Sequence, residues 1–274
     1  MTAGSMSNLQ LRIISGLVMA GAVLLLTWVG GLPFQLLSAV IAAAMFYEWC
    51  AMSGAENRTS QLFSAVLLAA VLIALVSGFG AANVLAIFAV AVVLSAVASI
   101  VLGQGAWTAS GFAYAGLSGI SVAFLRDGDN SGLTAILFLF ATVWATDIFA
   151  YFVGRAIGGP KLAPSISPGK TWSGAIGGTV CGMIAGLAVA FAAGGNFLML
   201  VPVVFLLSVV SQAGDLFESW AKRRNGVKDS SNIIPGHGGV MDRVDGLVAA
   251  AFALYVIGTV LSGPDHPAHG LFPA

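Results

Sequence analysis

Asp215, Glu218, Ser219 and Lys222 stand at i, i+3, i+4 and i+7, a spacing that puts all four on one face of a helix. Asp242 and Asp245, spaced i, i+3, open a later apolar stretch. Two antiparallel helices joined by the intervening loop would bring Asp215 to Asp242. Facing carboxylates repel unless a cation lies between them, and an all-oxygen ligand set favours Mg²⁺, which keeps its waters and binds one or two carboxylates plus substrate phosphates. Between these acids runs Ile234-Pro235-Gly236-His237-Gly238-Gly239, whose glycines let backbone N–H groups come close to an anion. Lys222, Arg223, Lys228 and Arg243 supply balancing positive charge. Metal carboxylates, a glycine loop and clustered basic residues together point to phosphoryl or nucleotidyl transfer. The competing account is a solvated loop that only sets topology. Such a loop needs basic residues, but not Asp215, Glu218, Asp229, Asp242 and Asp245 interleaved with them. Asp229, in the most polar part, is expected to do no more than pair with Lys228.

A second polar stretch runs from Asp147 to Trp172 and carries Arg155, Lys161 and Lys170, punctuated by Pro160, Pro164 and Pro168. Gly169-Lys170-Thr171 imitates the end of a P-loop, but the first glycine of that motif would fall on Pro164 and no strand precedes it, so the P-loop is excluded. The stretch is either an interfacial connector or a basic loop that holds a lipid head group or a nucleotide phosphate. Glu48 is expected to have a structural role, reaching the interface or pairing with Arg58. His266 and His269 read as tail residues with no cluster around them.

The elements that must position these groups are apolar helices. Of the chain's 274 residues, 58% are hydrophobic and 8% charged, against about 25% charged in an ordinary soluble domain. That excludes a soluble enzyme, a disordered chain and a nucleic-acid binder. The apolar runs are continuous rather than alternating, which excludes a β-barrel. A membrane helix needs about 20 apolar residues. Residues 13–47 and 59–125 carry no charge and break at Gly30–Pro33, at Ser77–Gly80 and at Gly103-Gln104-Gly105, giving five spans. Residues 132–153, with Asp147 inside, give a sixth; 173–214, broken at Gly194-Gly195-Asn196, two more; and 244–262 a ninth. The expected fold is therefore all-α, a polytopic membrane protein of about nine spans. It divides into an N-terminal membrane region (1–130) and a C-terminal catalytic region (131–274) with loops at 155–172 and 219–243. With the N-terminus cytoplasmic, the inner loops hold every basic residue except Arg126, as the positive-inside rule requires. A signal peptide after Arg12 is the minor alternative. Cys50 and Cys181 read as small buried hydrophobes, and the tryptophans as interfacial anchors.

Ser219-Trp220-Ala221-Lys222-Arg223, then Lys228-Asp229, then Pro235-Gly236-His237-Gly238-Gly239, then Asp242-Arg243-Val244-Asp245 resembles the signature of the phosphatidate cytidylyltransferase (CDP-diacylglycerol synthase) family, with every spacing met. Upstream, Asp147, Ala150-Tyr151, Gly154-Arg155, Lys161-Leu162, Pro164, Ile166-Ser167-Pro168 and Lys170-Thr171-Trp172 are similar to that family's other polar block. Ala221, Gly169 and Ser173 depart from it, standing where a larger aliphatic, a Lys and a Glu are usual. The resemblance covers roughly residues 140–250.

The resemblance implies that CTP and phosphatidic acid give CDP-diacylglycerol and pyrophosphate at the inner face of a membrane, most simply the bacterial inner membrane. It implies Mg²⁺ on Asp215 and Asp242, a second cation in the same site, and phosphate contacts from Ser219, Lys222, Arg223, Lys228, Arg243, Lys170 and the Gly238-Gly239 backbone. His237 would serve the glycine loop or donate to the leaving group, and Asp147, Glu218, Asp229 and Asp245 would support the site. Oligomeric state stays open, a homodimer being one assembly. A CTP-dependent polyprenol-type lipid kinase is the nearest rival. An ion-coupled transporter using Asp147 and Asp215 as a relay is the rival from another class.

Overall fold

The computed structural model of the chain describes residues 8–54, 58–103, 105–234 and 236–272, with side chains from Ile14 onward. Gln104, Pro235 and the side chain of Arg12 lie outside it. The described residues form nine α-helices: α1 (Asn8–Val29), α2 (Gly31–Met52), α3 (Arg58–Val76), α4 (Ala81–Val101), α5 (Trp107–Arg126), α6 (Asn130–Ile157), α7 (Trp172–Ala192), α8 (Phe197–Arg224) and α9 (Met241–Ser262). α2 to α9 are long and apolar enough to cross a membrane, and the apolar part of α1 runs from Ile14 to Val29. The boundaries follow the sequence breaks. Gly30, at φ 67°, is the whole connection between α1 and α2, and Pro33 sits in the first turn of α2, where a missing N–H costs nothing. Asp129, Thr171 and Asn196 cap α6, α7 and α8 by accepting from the N–H groups of Gly132, Gly174 and Met199.

One expected loop is ordered differently. Within 155–172, Lys161–Ala163 (β1) pairs antiparallel with Ser167–Thr171 (β2), Lys161 opposite Thr171 and Ala163 opposite Ser167. Proline at 160, 164 and 168 forbids helix here, and the Ile166 N–H donates to the Ala163 carbonyl to close the turn. Ser173 donates to the Gly158 carbonyl and closes the base of the hairpin.

Two apolar clusters fill the bundle. One joins α5, α6, α8, α9 and the C-terminal tail, around Phe138, Leu139, Leu207 and Leu254. The other joins α2 to α5 with the ends of α8 and α9, around Trp49, Phe112, Ala221 and Met241. Ala221 is fully buried there, so its small side chain is a packing choice. In lipid, helices associate by close backbone packing at small residues. Gly214 of α8 and Gly246 of α9 provide one such contact: a Cβ on Gly214 would come within 2.9 Å of the Asp245 carbonyl and 2.5 Å of Ala249 Cβ. That approach fixes the register of α8 against α9, and with it the site.

Candidate active site

The register sets Asp215 across from Asp245, one turn beyond the Asp242 that the sequence reading paired with it. One carboxylate oxygen from each of Asp215, Glu218 and Asp245 lies within 4.8 Å of the others. α8 stays helical to Arg224, so the predicted face is formed. Ser219 Oγ donates to Asp215 Oδ1 (3.4 Å), and Lys222 Nζ donates to Glu218 Oε2 (2.9 Å). Lys170, brought in by β2, pairs with Asp215 Oδ2. Glu218 is 1% exposed, and its buried Oε1 has no N–H or hydroxyl donor among the described residues. A buried carboxylate oxygen beside two further carboxylates is costly unless a cation or a shared proton joins them.

Asp242 belongs to a different constellation. Its Oδ1 accepts from Lys222 Nζ (2.6 Å), and its Oδ2 accepts from Ser230 N (3.0 Å), Ser230 Oγ (2.8 Å) and Gly239 N (2.8 Å). Lys222 therefore bridges Glu218 of the acid cluster and Asp242 of the loop.

Beside Asp242 lies the residue the sequence reading undervalued. Glu48 of α2 is fully buried and makes no ion pair with Arg58. Instead it accepts from Ser231 Oγ (2.6 Å), Val240 N (2.7 Å) and Met241 N (2.7 Å), and Ser230 Oγ, whose one proton it shares with Asp242, lies 3.2 Å away. The first N–H groups of a helix have no partner within it, and α9 has no cap of its own from Val240. Glu48 supplies that cap from another helix, where the helix dipole also favours a negative charge. Gly239 is required for this approach, since a Cβ there would lie 2.6 Å from Glu48 Oε1. The glycine-loop N–H groups at 239–241 are thus directed at Asp242 and Glu48, not at open solvent.

Two recesses flank these groups. Lys228, Asp229, Gly236, His237, Gly238 and Arg243 line one of about 500 Å³. The His237 carbonyl accepts from Arg243, and its ring turns toward α1, with Nδ1 2.9 Å from Ser15 Oγ. Asp147, Arg155, Lys161, Gly169, Lys170 and Asp215 line the other, of about 640 Å³, between α6, α7, α8 and the hairpin. Arg223 enters neither wall; its guanidinium donates to the Ile166 and Val227 carbonyls and ties α8 to the hairpin turn. Arg224 points away from the acids and lies over the rings of Trp107 (5.5 Å) and Trp220 (5.6 Å). Trp49, Trp107, Phe217 and Trp220 form a stacked group there, so three of the tryptophans expected at the interface pack on one another.

A family model described as the cytidylyltransferase family matches residues 10–261. The chain belongs to the cytidylyltransferase family. It is similar to proteins named phosphatidate cytidylyltransferase from Brucella suis biovar 1 (49% identical over 266 residues, 96% of this chain and 97% of the relative) and Brucella abortus biovar 1 (50% over 264 residues, 95% and 97%). A protein of the same name from Haemophilus influenzae is 49% identical over 127 residues, 43% of each chain. As a cytidylyltransferase, the chain is a nucleotidyl-transferring membrane enzyme. The site residues expected from the sequence divide in space. Asp215, Glu218, Asp245, Ser219 and Lys170 converge, with Asp147 on the wall of the cavity that Asp215 and Lys170 line. Lys222, Asp242 and Gly239 form the adjoining knot with Glu48, and Lys228, Asp229, His237, Gly238 and Arg243 line the outer recess. Glu48 lies 182 residues from Ser230, its loop partner; its only sequence signal was a carboxylate at the end of an apolar run.

Proposed function

We propose that the chain transfers CMP from CTP to phosphatidic acid, giving CDP-diacylglycerol and pyrophosphate. The observation that carries this reading is the Asp215–Glu218–Asp245 cluster, with a buried Glu218 Oε1 that lacks a donor among the described residues, in a chain similar over nearly its whole length to proteins named for that reaction. The outer recess takes the triphosphate, steadied by Lys228 and Arg243. The inner recess takes the lipid phosphate, whose charge Arg155, Lys161 and Lys170 meet while exposed apolar side chains such as Tyr151 face the acyl chains. An oxygen of the phosphate monoester attacks the α-phosphorus of CTP, the new P–O bond forms, and the bond to the β-phosphate bridging oxygen breaks. The monoester is already anionic near neutral pH, so no strong general base is needed. The obstacle is the meeting of two polyanions, and preorganised positive charge lowers it.

The acid cluster fits Mg²⁺: three carboxylates, hard oxygen donors, and an orphaned Glu218 Oε1. Asp215, Asp245 and Glu218 would hold it, and bound there it supplies charge neutralisation to the phosphates and to the departing pyrophosphate. Asp147, on the same cavity wall as Asp215, is assigned to a second cation. Lys222 and Asp242 orient the glycine loop against the cluster. Residues 1–130 act as scaffold for 131–274, with Glu48 the contact that reaches the glycine loop and the start of α9. The end of the bundle with the acid cluster carries Lys170, Lys222, Arg223, Arg224, Lys228 and Arg243, which supports a cytoplasmic location for it and placement in a bacterial inner membrane.

The test is purified protein with α-labelled CTP, Mg²⁺ and phosphatidic acid in mixed micelles. Label should enter a lipid that co-migrates with CDP-diacylglycerol, and nowhere when Mg²⁺ is chelated. Lipid labelled only from γ-labelled CTP would make the chain a kinase and overturn the reading.

A further inference from the structure

The end of the bundle opposite the acid cluster holds a second group of titratable side chains, and the sequence reading of His266 and His269 as isolated is corrected there. A short 3-10 turn, Pro267–Gly270, follows α9 and folds back on the α5–α6 connection. His266 Nδ1 lies 2.6 Å from Asp127 Oδ2, and His269 Nε2 lies 2.5 Å from Asp129 Oδ2 and 3.8 Å from Asp127 Oδ2. The two rings stack with centroids 5.0 Å apart and planes 10° from parallel. One donor atom from each of Asp127, His266 and His269 falls within 4.8 Å of the others.

From this geometry we propose that Asp127, Asp129, His266 and His269 form a binding site for a divalent transition metal of the Zn²⁺ type. Two imidazole nitrogens with two carboxylate oxygens are the borderline donor set that Zn²⁺ accepts, and Mg²⁺ disfavours imidazole. Tetrahedral Zn²⁺ with ligand bonds of about 2.0–2.2 Å places its donors roughly 3.3 Å apart, a value the spacings among Asp127, His266 and His269 bracket; Asp129 stands outside that group and completes the set through its contact with His269. Both ring nitrogens already face carboxylates, so the cation replaces shared protons without turning a ring away.

The backbone beneath the cluster is held from several directions. The Arg126 guanidinium, 4% exposed as a residue, donates to the carbonyls of Asp127 and Asp129 (3.1 Å each), Thr27 (2.5 Å) and Trp28 (3.2 Å). Asp129 also caps α6, and its second oxygen is the one that meets His269. The histidines are anchored by Pro267, Ala268, Leu271 and Phe272, all buried. Asp265, beside His266 in sequence, is engaged elsewhere, accepting from Ala81 N. The site is open to an incoming ion, with the His266 side chain 59% and the His269 side chain 39% exposed. The length of α9, about 33 Å at 1.5 Å per residue, separates it from the proposed catalytic cations.

The full chain, purified through a tag without histidine and stripped with chelator, is titrated with Zn²⁺ against a chromophoric competitor in excess Mg²⁺, which masks the acid cluster. One equivalent should bind with low-micromolar or tighter affinity, Co²⁺ should give the visible absorption of a four-coordinate complex, and the unfolding midpoint should rise with Zn²⁺. His266→Gln/His269→Gln should weaken binding by at least about tenfold, abolish the Co²⁺ spectrum and leave Mg²⁺-dependent turnover intact. The single His269→Gln variant, which keeps the Asp129 cap, should fall between. No Zn²⁺ bound at micromolar concentration would reduce the group to a pair of ion-pair clasps. Unchanged affinity in the double variant would place the ion elsewhere. Either result overturns the proposal.

Discussion

Two sets of carboxylates lie side by side across Lys222, and they are treated in opposite ways. Glu48 and Asp242 are saturated: between them they accept from Ser230, Ser231, Gly239, Val240, Met241 and Lys222. Asp215, Glu218 and Asp245 crowd together with few donors, and among the described residues one buried oxygen of Glu218 has none. Buried charge is tolerated when hydrogen bonds surround it and is costly when they do not. The saturated set therefore holds the glycine loop and the start of α9 in place. The unsatisfied set is the part built to receive something.

The widest separation between the two sets should come from charge removal in the unsatisfied one. Asp215→Asn and Asp245→Asn should each lower kcat by roughly a thousandfold or more, the scale of several kcal/mol of metal-borne stabilisation, while the protein still inserts and purifies. Near-normal turnover in Asp245→Asn would dissolve the comparison. In the saturated set, the expected loss is of architecture. Glu48→Gln leaves an amide facing N–H donors and should cost about 1–3 kcal/mol of stability, read as a lower unfolding midpoint together with a raised KM for CTP. Gly239→Ala pushes a methyl against Glu48 and Ser230 and should destabilise by a similar ~1–3 kcal/mol. The smallest effects belong to residues outside both sets. Arg224→Ala gives up only cation–π contacts, about 0.5–1 kcal/mol, and Asp229→Asn changes an exposed side chain. Both should keep kcat within about threefold of wild type, measured at saturating CTP and lipid.

How far the sequence could be read follows from how local each feature is. The spans were legible because apolar runs and Gly-rich breaks are local, and the helical face from Asp215 to Lys222 because its i, i+3, i+4, i+7 spacing is. The acidic partner of Asp215 was not, because it depends on the register of α8 against α9. Gly214 and Gly246 set that register by close approach, a contact that no spacing within one helix encodes. The partners of Glu48, whose structural role was expected, and of the tail histidines escaped for the same reason. Those partners lie more than a hundred residues away, and only the closed bundle brings them together. The hairpin at 161–171 carried a local signal in its three prolines, but they say only that helix is excluded.

The division between an unsatisfied and a saturated set is tested most directly by Mn²⁺ binding, with Mn²⁺ as a paramagnetic stand-in for Mg²⁺ followed by electron paramagnetic resonance. Wild-type protein and the Asp242→Asn and Asp245→Asn variants are titrated in the absence of substrate. The account predicts that Asp245→Asn weakens Mn²⁺ binding by about 100-fold or more, whereas Asp242→Asn binds it as wild type does. Loss of Mn²⁺ from Asp242→Asn with full retention in Asp245→Asn would contradict it and restore the Asp215–Asp242 pair.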